Sequence, residues 1–151
     1  MVLLSLWKNH QEIQDKITIE TEYLLKKCDP DEICEEVLET LNLIDTDTLF
    51  DRSGPSSHGY HDPSEMAMIL IEEAIEPFQD QMNRYFEMQM QDKSMEYCKS
   101  ILKALYTFDK EADSEFSEWT TDCAGEEFYS VLKNWNKKNS KKITKKKLNP
   151  L

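Results

Sequence analysis

Acidic side chains recur on one face of a predicted helix, where they could bind a cation or a basic partner. Glu72, Glu76 and Asp80 are spaced four residues apart, which places their carboxylates on the same helical face. A carboxylate metal site in a helical bundle also needs Glu-x-x-His motifs on partner helices. None of the three histidines of the chain stands in such a motif. The spacing therefore indicates a solvated acidic face or a stripe that binds a partner protein, and no metal site is predicted there.

Two histidines and two cysteines are the other candidates for metal chemistry. His58 and His61 lie in the segment 45–61, which contains glycine, proline and serine, and Cys28 and Cys34 precede it. The five residues between the cysteines exceed the two to four that zinc sites prefer. Exposed loop histidines are therefore the favoured interpretation. A metal-dependent enzyme that uses the 45–61 loop is kept as an alternative.

A block of lysines follows an acidic body and could bind a polyanion. The chain carries 30 acidic and 18 basic residues, a net charge of −12. Residues 133–151 contain eight lysines and no acidic residue, so the preceding 132 residues carry −20. Such a block indicates either a solvated segment or one that binds nucleic acid. The lysines that would contact nucleic acid are Lys137, Lys138, Lys141, Lys142, Lys145, Lys146 and Lys147.

Common catalytic and cofactor motifs are missing from the sequence. It has no Gly-rich phosphate loop, no nucleophile elbow and no dinucleotide-binding turn. We therefore predict a non-catalytic protein without a cofactor. No apolar run has the length of a signal peptide or a membrane helix, and the four cysteines are widely spaced. These features favour an acidic, cytoplasmic protein with reduced thiols and no membrane contact.

Two helix starts share the pattern Asp-Pro-x-Glu. Asp29 and Asp62 can accept hydrogen bonds from the free amides of a first turn, and the proline that follows each loses no helical bond there. Apolar spacing extends these helices over about 30–43 and from residue 63 onwards. Because an interior proline removes a backbone hydrogen bond, we expect a kink or a break near Pro77.

Further helices follow from apolar spacing alone. Residues 10–27 show both helical and alternating patterns, and we choose helix because a lone strand has no obvious partner. The pattern predicts a helix over about 93–108, with Asp92 as its cap, and a shorter helix over about 125–136.

Apolar side chains in two connecting segments are predicted to enter the core. Asp45 is expected to cap a short turn that inserts Leu49 and Phe50. Phe116 and Trp119 stand among acidic residues and are interpreted as core side chains that come from a connection.

The predicted fold class is all-α. We expect a single domain of five to six helices, arranged as antiparallel hairpins in an array like that of a helical repeat protein. An acidic helical domain would span residues 1–136, and residues 137–151 would form a basic, flexible tail.

The helical pattern also resembles a known group of proteins. The segments that carry the resemblance include DPDEICEEVLETL and GYHDPSEMAMILIEEAIEPF, within residues 29–135. They are similar to helical regions of uncharacterised prokaryotic proteins, some of which accompany SWIM-type zinc fingers. The Cys-x-Cys and Cys-x-His motifs of that finger are absent from this sequence, so its role does not transfer. The resemblance implies a helical, non-catalytic, prokaryotic protein.

The leading function hypothesis is a protein–protein interaction module or adaptor. It is motivated by the missing catalytic motifs together with a helical array that has a strongly charged exterior. The predicted binding surface is either the acidic face around Glu72 and Glu76 or a groove lined by Tyr85, Met88, Met90 and Tyr97. The alternatives are a protein that binds nucleic acid through its lysine segment and the metal-dependent enzyme described above.

Overall fold

The computed structural model describes the backbone of residues 2–26 and 29–148, and the side chains of residues 5, 8–21 and 29–141. Over these residues the chain is all-α in a single domain, which confirms the predicted fold class. The helices are α1 (Val2–Lys26), α2 (Pro30–Asn42), α3 (Thr46–Arg52), α4 (Pro63–Glu87), α5 (Gln91–Glu111) and α6 (Cys123–Leu148). The other elements are the short strands β1 (Gly54–Ser56) and β2 (Gly59–His61) and a 3₁₀ helix (Phe116–Trp119).

Aspartate caps begin three of these helices. The Asp29 carboxylate accepts from the amide of Asp31, and the Asp62 carboxylate accepts from the amide of Glu65, at 2.9 Å in both cases. Asp45 caps α3 in the same way, and its hydrogen bonds from Thr48 lower the pKa of its carboxyl group. These caps confirm the predicted helix starts, since each satisfies an amide of the first turn that lacks a helical partner.

Helix α5 lies at the centre of the domain and packs against α2, α4 and α6. Its apolar side chains form the middle of a continuous core together with those of the surrounding helices. Two buried serines connect it to its neighbours: Ser94 donates to the carbonyl of Met82 in α4, and Ser100 donates to the carbonyl of Pro30 in α2. These bonds satisfy hydroxyl groups that would otherwise destabilise the core.

A tight turn joins α4 to α5 and confirms the predicted hairpin. The amide of Gln89 donates to the carbonyl of Phe86, and the amide of Met90 donates to the carbonyl of Tyr85. This pair of bonds is a Schellman motif, which requires a left-handed residue after the helix and usually has glycine there. Here that residue is Gln89, with a φ of 61°.

We expect Gln89→Gly to raise the free energy of unfolding by about 0.5–1 kcal/mol, because glycine adopts positive φ without the steric cost of a side chain. Chemical denaturation followed by circular dichroism measures the change. Lys99→Gly is the control, since it places glycine at an exposed position inside α5 and should lower stability by up to about 1 kcal/mol. A loss of stability in the Gln89 variant would contradict the prediction.

The segment 45–61 is more ordered than the loop that the sequence predicts. It contains helix α3 and an antiparallel hairpin in which Pro55 pairs with Tyr60. Gly59 supplies the positive φ, 122°, that this short hairpin needs. Leu49 is fully buried, as predicted, but Phe50 is 51% exposed, so its predicted insertion into the core is wrong.

The connection between α5 and α6 anchors itself through one aromatic side chain. Phe116 is buried, as predicted, whereas Trp119 is 38% exposed and does not fill the core. The Trp119 ring instead meets the exposed Phe50 ring edge to face, at 5.5 Å between centroids. The two residues stand at opposite ends of the 3₁₀ helix, one turn apart, and the core covers Phe116 alone.

Several predicted helix limits are corrected. Helix α4 continues through Pro77 without a break, and Pro77 lies on its exposed side, where water can satisfy the carbonyl of Glu73. Helix α5 begins at Gln91, because the preceding turn sets its start, and Asp92 is not its cap.

The first and last helices, α1 and α6, also differ from their predicted lengths. Helix α1 covers Val2–Lys26, which confirms helix over strand, and residue 27 lies outside the described residues. Helix α6 continues to Leu148, so the segment predicted as a flexible tail is helical up to that residue. No proline interrupts it, and lysines near a helix C-terminus interact favourably with the helix dipole.

Candidate binding groove

Helices α4 and α6 line a groove with opposite charges at its two ends. At one end Gln79 of α4 donates to Glu127 of α6, and at the other end Lys138 of α6 donates to Asn83 of α4. Both helices therefore run in the same direction along the groove. The groove consists of two adjoining clefts, one acidic and one basic, and Gln79 lines both of them.

The acidic end of the groove is an open cleft of about 430 Å³. Four of its seven lining residues are glutamates, three from α4 and one from α6. The lining residues are Ile69, Glu72, Glu73, Glu76, Gln79, Glu127 and Ser130. Since carboxylates dominate this lining, the cleft has a strongly negative potential.

Glu127 is the one buried acidic side chain among the described residues, with 4% of its surface exposed. Its Oε1 accepts a hydrogen bond from Nε2 of Gln79 at 3.2 Å. Burial raises the pKa of Glu127, and the negative charge of Glu72 raises it further, while the hydrogen bond from Gln79 partly opposes them. The ionised form of Glu127 is therefore held at a cost to the folded protein.

One cation of the chain already occupies part of this acidic surface. The guanidinium of Arg52 donates two hydrogen bonds to the Glu73 carboxylate, at 2.6 and 2.7 Å. These bonds lower the pKa of Glu73 and raise that of Arg52. Because both side chains are more than 40% exposed, the pair contributes at most about 1 kcal/mol to stability. It neutralises Glu73, and among the described residues Arg52 forms no ion pair with the other three glutamates.

The basic end is a smaller cleft of about 260 Å³. Lys137, Lys138 and Lys141 line it together with Asn83, Asn134 and apolar side chains. Lys138 is engaged with Asn83, whereas Lys137 and Lys141 are exposed and spaced one helical turn apart. The side chains of the predicted lysines Lys142, Lys145, Lys146 and Lys147 lie outside the described residues.

The sequence predicts two alternative partner-binding surfaces, and the structure places their residues in different surroundings. Glu72 and Glu76 line the acidic cleft, as the acidic-face hypothesis requires. Tyr85 and Tyr97 are buried and pack on each other at 5.4 Å between ring centroids, so they cannot line an exposed groove.

The two predicted methionines lie at the turn between α4 and α5. Met88 is exposed, and Met90 is half-buried against the core and lines a small cleft at that turn. Neither residue lines the groove between α4 and α6.

Glu127 is the residue that sequence reasoning missed. In the sequence it is one of two adjacent glutamates, Glu126 and Glu127, within a predicted helix. Its one signal was its spacing from Ala124 and Val131, three residues before it and four after it, which places it on an apolar side of that helix. Its role depends on α4, whose Gln79 lies 48 residues away in the sequence.

The histidines and cysteines considered for metal binding do not come together in the described part of the chain. No group of three or more His, Cys, Asp or Glu side chains there is placed to hold a metal ion. His58 is exposed, His61 lies 3.6 Å from Glu65, and Cys34 is buried in the core. Cys28 lies outside the described residues.

The described cysteines behave as core side chains. Burial raises the pKa of Cys98 to about 11, and it also raises the pKa values of Cys34 and Cys123. At Cys123, the nearby Glu126 and Asp122 oppose the thiolate that a helix start would otherwise favour.

A separate cleft of about 320 Å³ lies between α5 and α6 and is more aromatic. The exposed rings of Tyr106 and Tyr129 flank it, with Phe128 between the helices. Lys110 lies 6.0 Å from the centre of the Tyr106 ring. This cleft has no buried charge, so the acidic groove is the stronger candidate for a specific contact.

None of the helices, over the residues that the structure describes, combines the length and the apolar character needed to cross a membrane. Comparison with protein-family models, with curated proteins and with solved structures finds no match for the chain. The resemblance to prokaryotic helical regions is therefore not tested and stays a prediction.

Proposed function

We propose that the protein is a non-catalytic protein-binding module and that it contacts its partner through the groove between α4 and α6. The observation that supports this most directly is the charge pattern of the groove. Its acidic end has three glutamates without a cation among the described residues, Glu72, Glu76 and Glu127. Its other end has the exposed lysines Lys137 and Lys141.

A groove with opposite charges at its ends selects both the partner and its direction. A segment with basic residues at one end and acidic residues at the other fits in one orientation, because the reverse orientation juxtaposes like charges. Ile69 adds partly exposed apolar surface at the acidic end of the groove. The partner class that we propose is therefore a protein segment with separated positive and negative charges.

Cytoplasmic placement is part of the same proposal. An acidic body with a net charge of −20 over residues 1–132 repels nucleic acid and anionic membrane surfaces. A protein partner with a basic segment is attracted by the same field.

The test is capture of partners by the immobilised full chain and by two charge-reversed variants. Glu72→Lys/Glu76→Lys reverses two charges in the groove, and we expect it to lose most of the proteins that the wild type retains. Glu35→Lys/Glu39→Lys is the matched control, because it reverses two exposed glutamates with the same spacing on α2. Quantitative mass spectrometry compares the captured sets.

Identical captured sets for the wild type and the groove variant would contradict the proposed surface. Equal losses in both variants would do the same, because they would reflect total charge rather than the groove. The expected result is a set of proteins that the groove variant no longer captures and that the control variant still captures.

The alternative of nucleic-acid binding rests on the helical lysine segment. It would be favoured by binding of a DNA duplex that falls steeply with salt and is lost on Lys137→Gln/Lys141→Gln. The metal-dependent enzyme is the remaining alternative, and the described residues of the 45–61 segment offer it no cluster of ligands.

A further inference from the structure

We propose that two copies of the chain associate through helix α1, which pairs with α1 of the second copy in antiparallel orientation. Two observations carry the inference. One is an apolar stripe on α1 that the described part of the chain leaves uncovered, and the other is a pattern of polar residues on that stripe that complements itself. This surface is separate from the groove between α4 and α6, so the inference goes beyond the proposed function and does not depend on it.

Helix α1 stands apart from the core over its described side chains. Every side chain from residue 8 to residue 20 is exposed, and none of them belongs to the core cluster. Ile13 and Ile17 are 57% and 58% exposed, and their spacing of four residues places them on one face of the helix. Most of the stability of a helix in a protein comes from the packing of such an apolar face. The stripe therefore needs a second surface to cover it.

The charges of α1 argue against a membrane surface as that cover. Helices that lie on membranes are rich in lysine and arginine on their polar face. Residues 8–21 of α1 instead carry three acidic and two basic side chains. The side of α1 away from the stripe is polar, and there Gln11 donates a hydrogen bond to Asp15. A protein surface is the remaining cover for the isoleucines.

The spacing along the stripe is that of a coiled coil. His10, Ile13, Ile17 and Glu20 follow one another at intervals of three, four and three residues, which are the intervals between the core positions of a heptad. In the sequence, Leu6 and Leu24 continue this spacing by four residues at each end. The described stripe thus consists of two isoleucines with one polar residue on each side.

These four residues are arranged symmetrically about Asp15. Ile13 and Ile17 are each two residues from it, and His10 and Glu20 are each five residues from it. In an antiparallel pair centred on this residue, each isoleucine meets an isoleucine of the second copy. Each His10 meets a Glu20 of the second copy, so that the imidazole can donate a hydrogen bond to the carboxylate.

The polar residues select both the orientation and the identity of the second helix. A parallel pair would place Glu20 beside Glu20 of the second copy, and like charges in an interface are unfavourable. The antiparallel pair avoids this contact and has the twofold symmetry of most dimers, in which one surface meets the same surface of the other copy. A second copy of this chain is therefore the occupant that the pattern fits.

The first experiment measures self-association of the full chain by sedimentation equilibrium. We expect a reversible dimer and at least a tenfold rise of its dissociation constant in Ile17→Lys, because the variant places a charge in the centre of the interface. Ile19→Lys is the matched control. Ile19 is 65% exposed on the same helix but is turned about 200° from Ile17, off the stripe. Its replacement should leave the dissociation constant unchanged.

The second experiment tests the orientation by crosslinking with bis(maleimido)ethane. Gln14→Cys and Thr21→Cys place a thiol on the same edge of α1, one heptad apart, and each is made together with Cys28→Ser. In the antiparallel pair the two copies of residue 14 lie next to each other, whereas the copies of residue 21 are about 18 Å apart along the helix axis. We expect a crosslinked dimer for Gln14→Cys alone. The other three cysteines are buried in the core and are Cys34, Cys98 and Cys123.

A wild-type chain that stays monomeric from about 1 to 100 µM would overturn the inference. So would a dimer that Ile17→Lys leaves intact, one that Ile19→Lys weakens equally, or equal crosslinking at residues 14 and 21. Circular dichroism shows whether the Ile17 variant keeps its fold, which we expect because the described residues of α1 lie outside the core. Capture of partners tests the groove separately, since the Glu72→Lys/Glu76→Lys variant should dimerise like the wild type.

Discussion

Truncation of Phe116 to alanine is expected to lower the free energy of unfolding by about 3–5 kcal/mol. Phe116 is 1% exposed and is the apolar anchor of the connection between α5 and α6. Its removal takes away buried apolar surface and leaves a cavity, and these two losses add. Chemical denaturation followed by circular dichroism measures the change.

Trp119→Ala is the control for this prediction, since it removes a larger aromatic side chain three residues away. Trp119 is 38% exposed and packs on Phe50, which is itself exposed. Its loss should therefore cost only about 1 kcal/mol. Equal costs for the two variants, or a cost below about 1.5 kcal/mol for Phe116→Ala, would show that the 3₁₀ segment does not anchor the connection.

Replacement of Glu127 with glutamine is expected to stabilise the protein at neutral pH by on the order of 1 kcal/mol, because glutamine keeps the acceptor for Gln79 and removes the buried charge. The pKa of Glu127 is raised in the folded state, chiefly by burial and then by the charge of Glu72. Between the ordinary carboxyl pKa of 4.5 and the raised value, the folded protein holds more protons than the unfolded chain. The stability that the protonated Glu127 contributes is therefore complete below the ordinary pKa, and it is lost as the pH rises through the raised pKa of the folded state.

Measurements of the free energy of unfolding from pH 4 to pH 8 test whether stability falls as the pH rises. The advantage of Glu127→Gln should be largest at neutral pH and should vanish below the ordinary carboxyl pKa, where both side chains are neutral. Glu126→Gln is the control, because Glu126 is exposed and lies in the first turn of α6. Its acidic side chain favours the positive helix end, so its replacement should destabilise slightly. A stability gain for Glu127→Gln that persists unchanged at pH 4 would contradict the role assigned to its charge.

The expected cost of Glu127 is informative for function. Surface substitutions away from special features change stability little, whereas residues that serve binding are often kept at a cost to the fold. A glutamate that destabilises the free protein and borders an open cleft is in the position where a cationic partner would repay that cost.

Local chemistry explains what could be predicted from the sequence. The starts of α2, α3 and α4 depend on Asp29, Asp45 and Asp62, whose carboxylates bond to amides two or three residues away. The apolar spacing of α2, α4 and α5 likewise predicted helices in these segments, and with them the all-α fold class. Such short-range interactions can be read from neighbouring residues alone.

Tertiary packing decided the features that the sequence left open or that were predicted wrongly. Tyr85, which was predicted to line a binding groove, is buried, and Phe50, which was predicted to enter the core, is exposed. Whether a large apolar side chain is buried depends on which neighbouring elements cover its position. The acidic cleft is the clearest case. The sequence placed Glu72 and Glu76 on one helical face, but only the packing of α6 beside α4 brings in Glu127 and encloses it. A carboxylate changes from a solvated surface group to a buried group with a raised pKa when a second helix removes water from it, and that contact joins residues 48 positions apart.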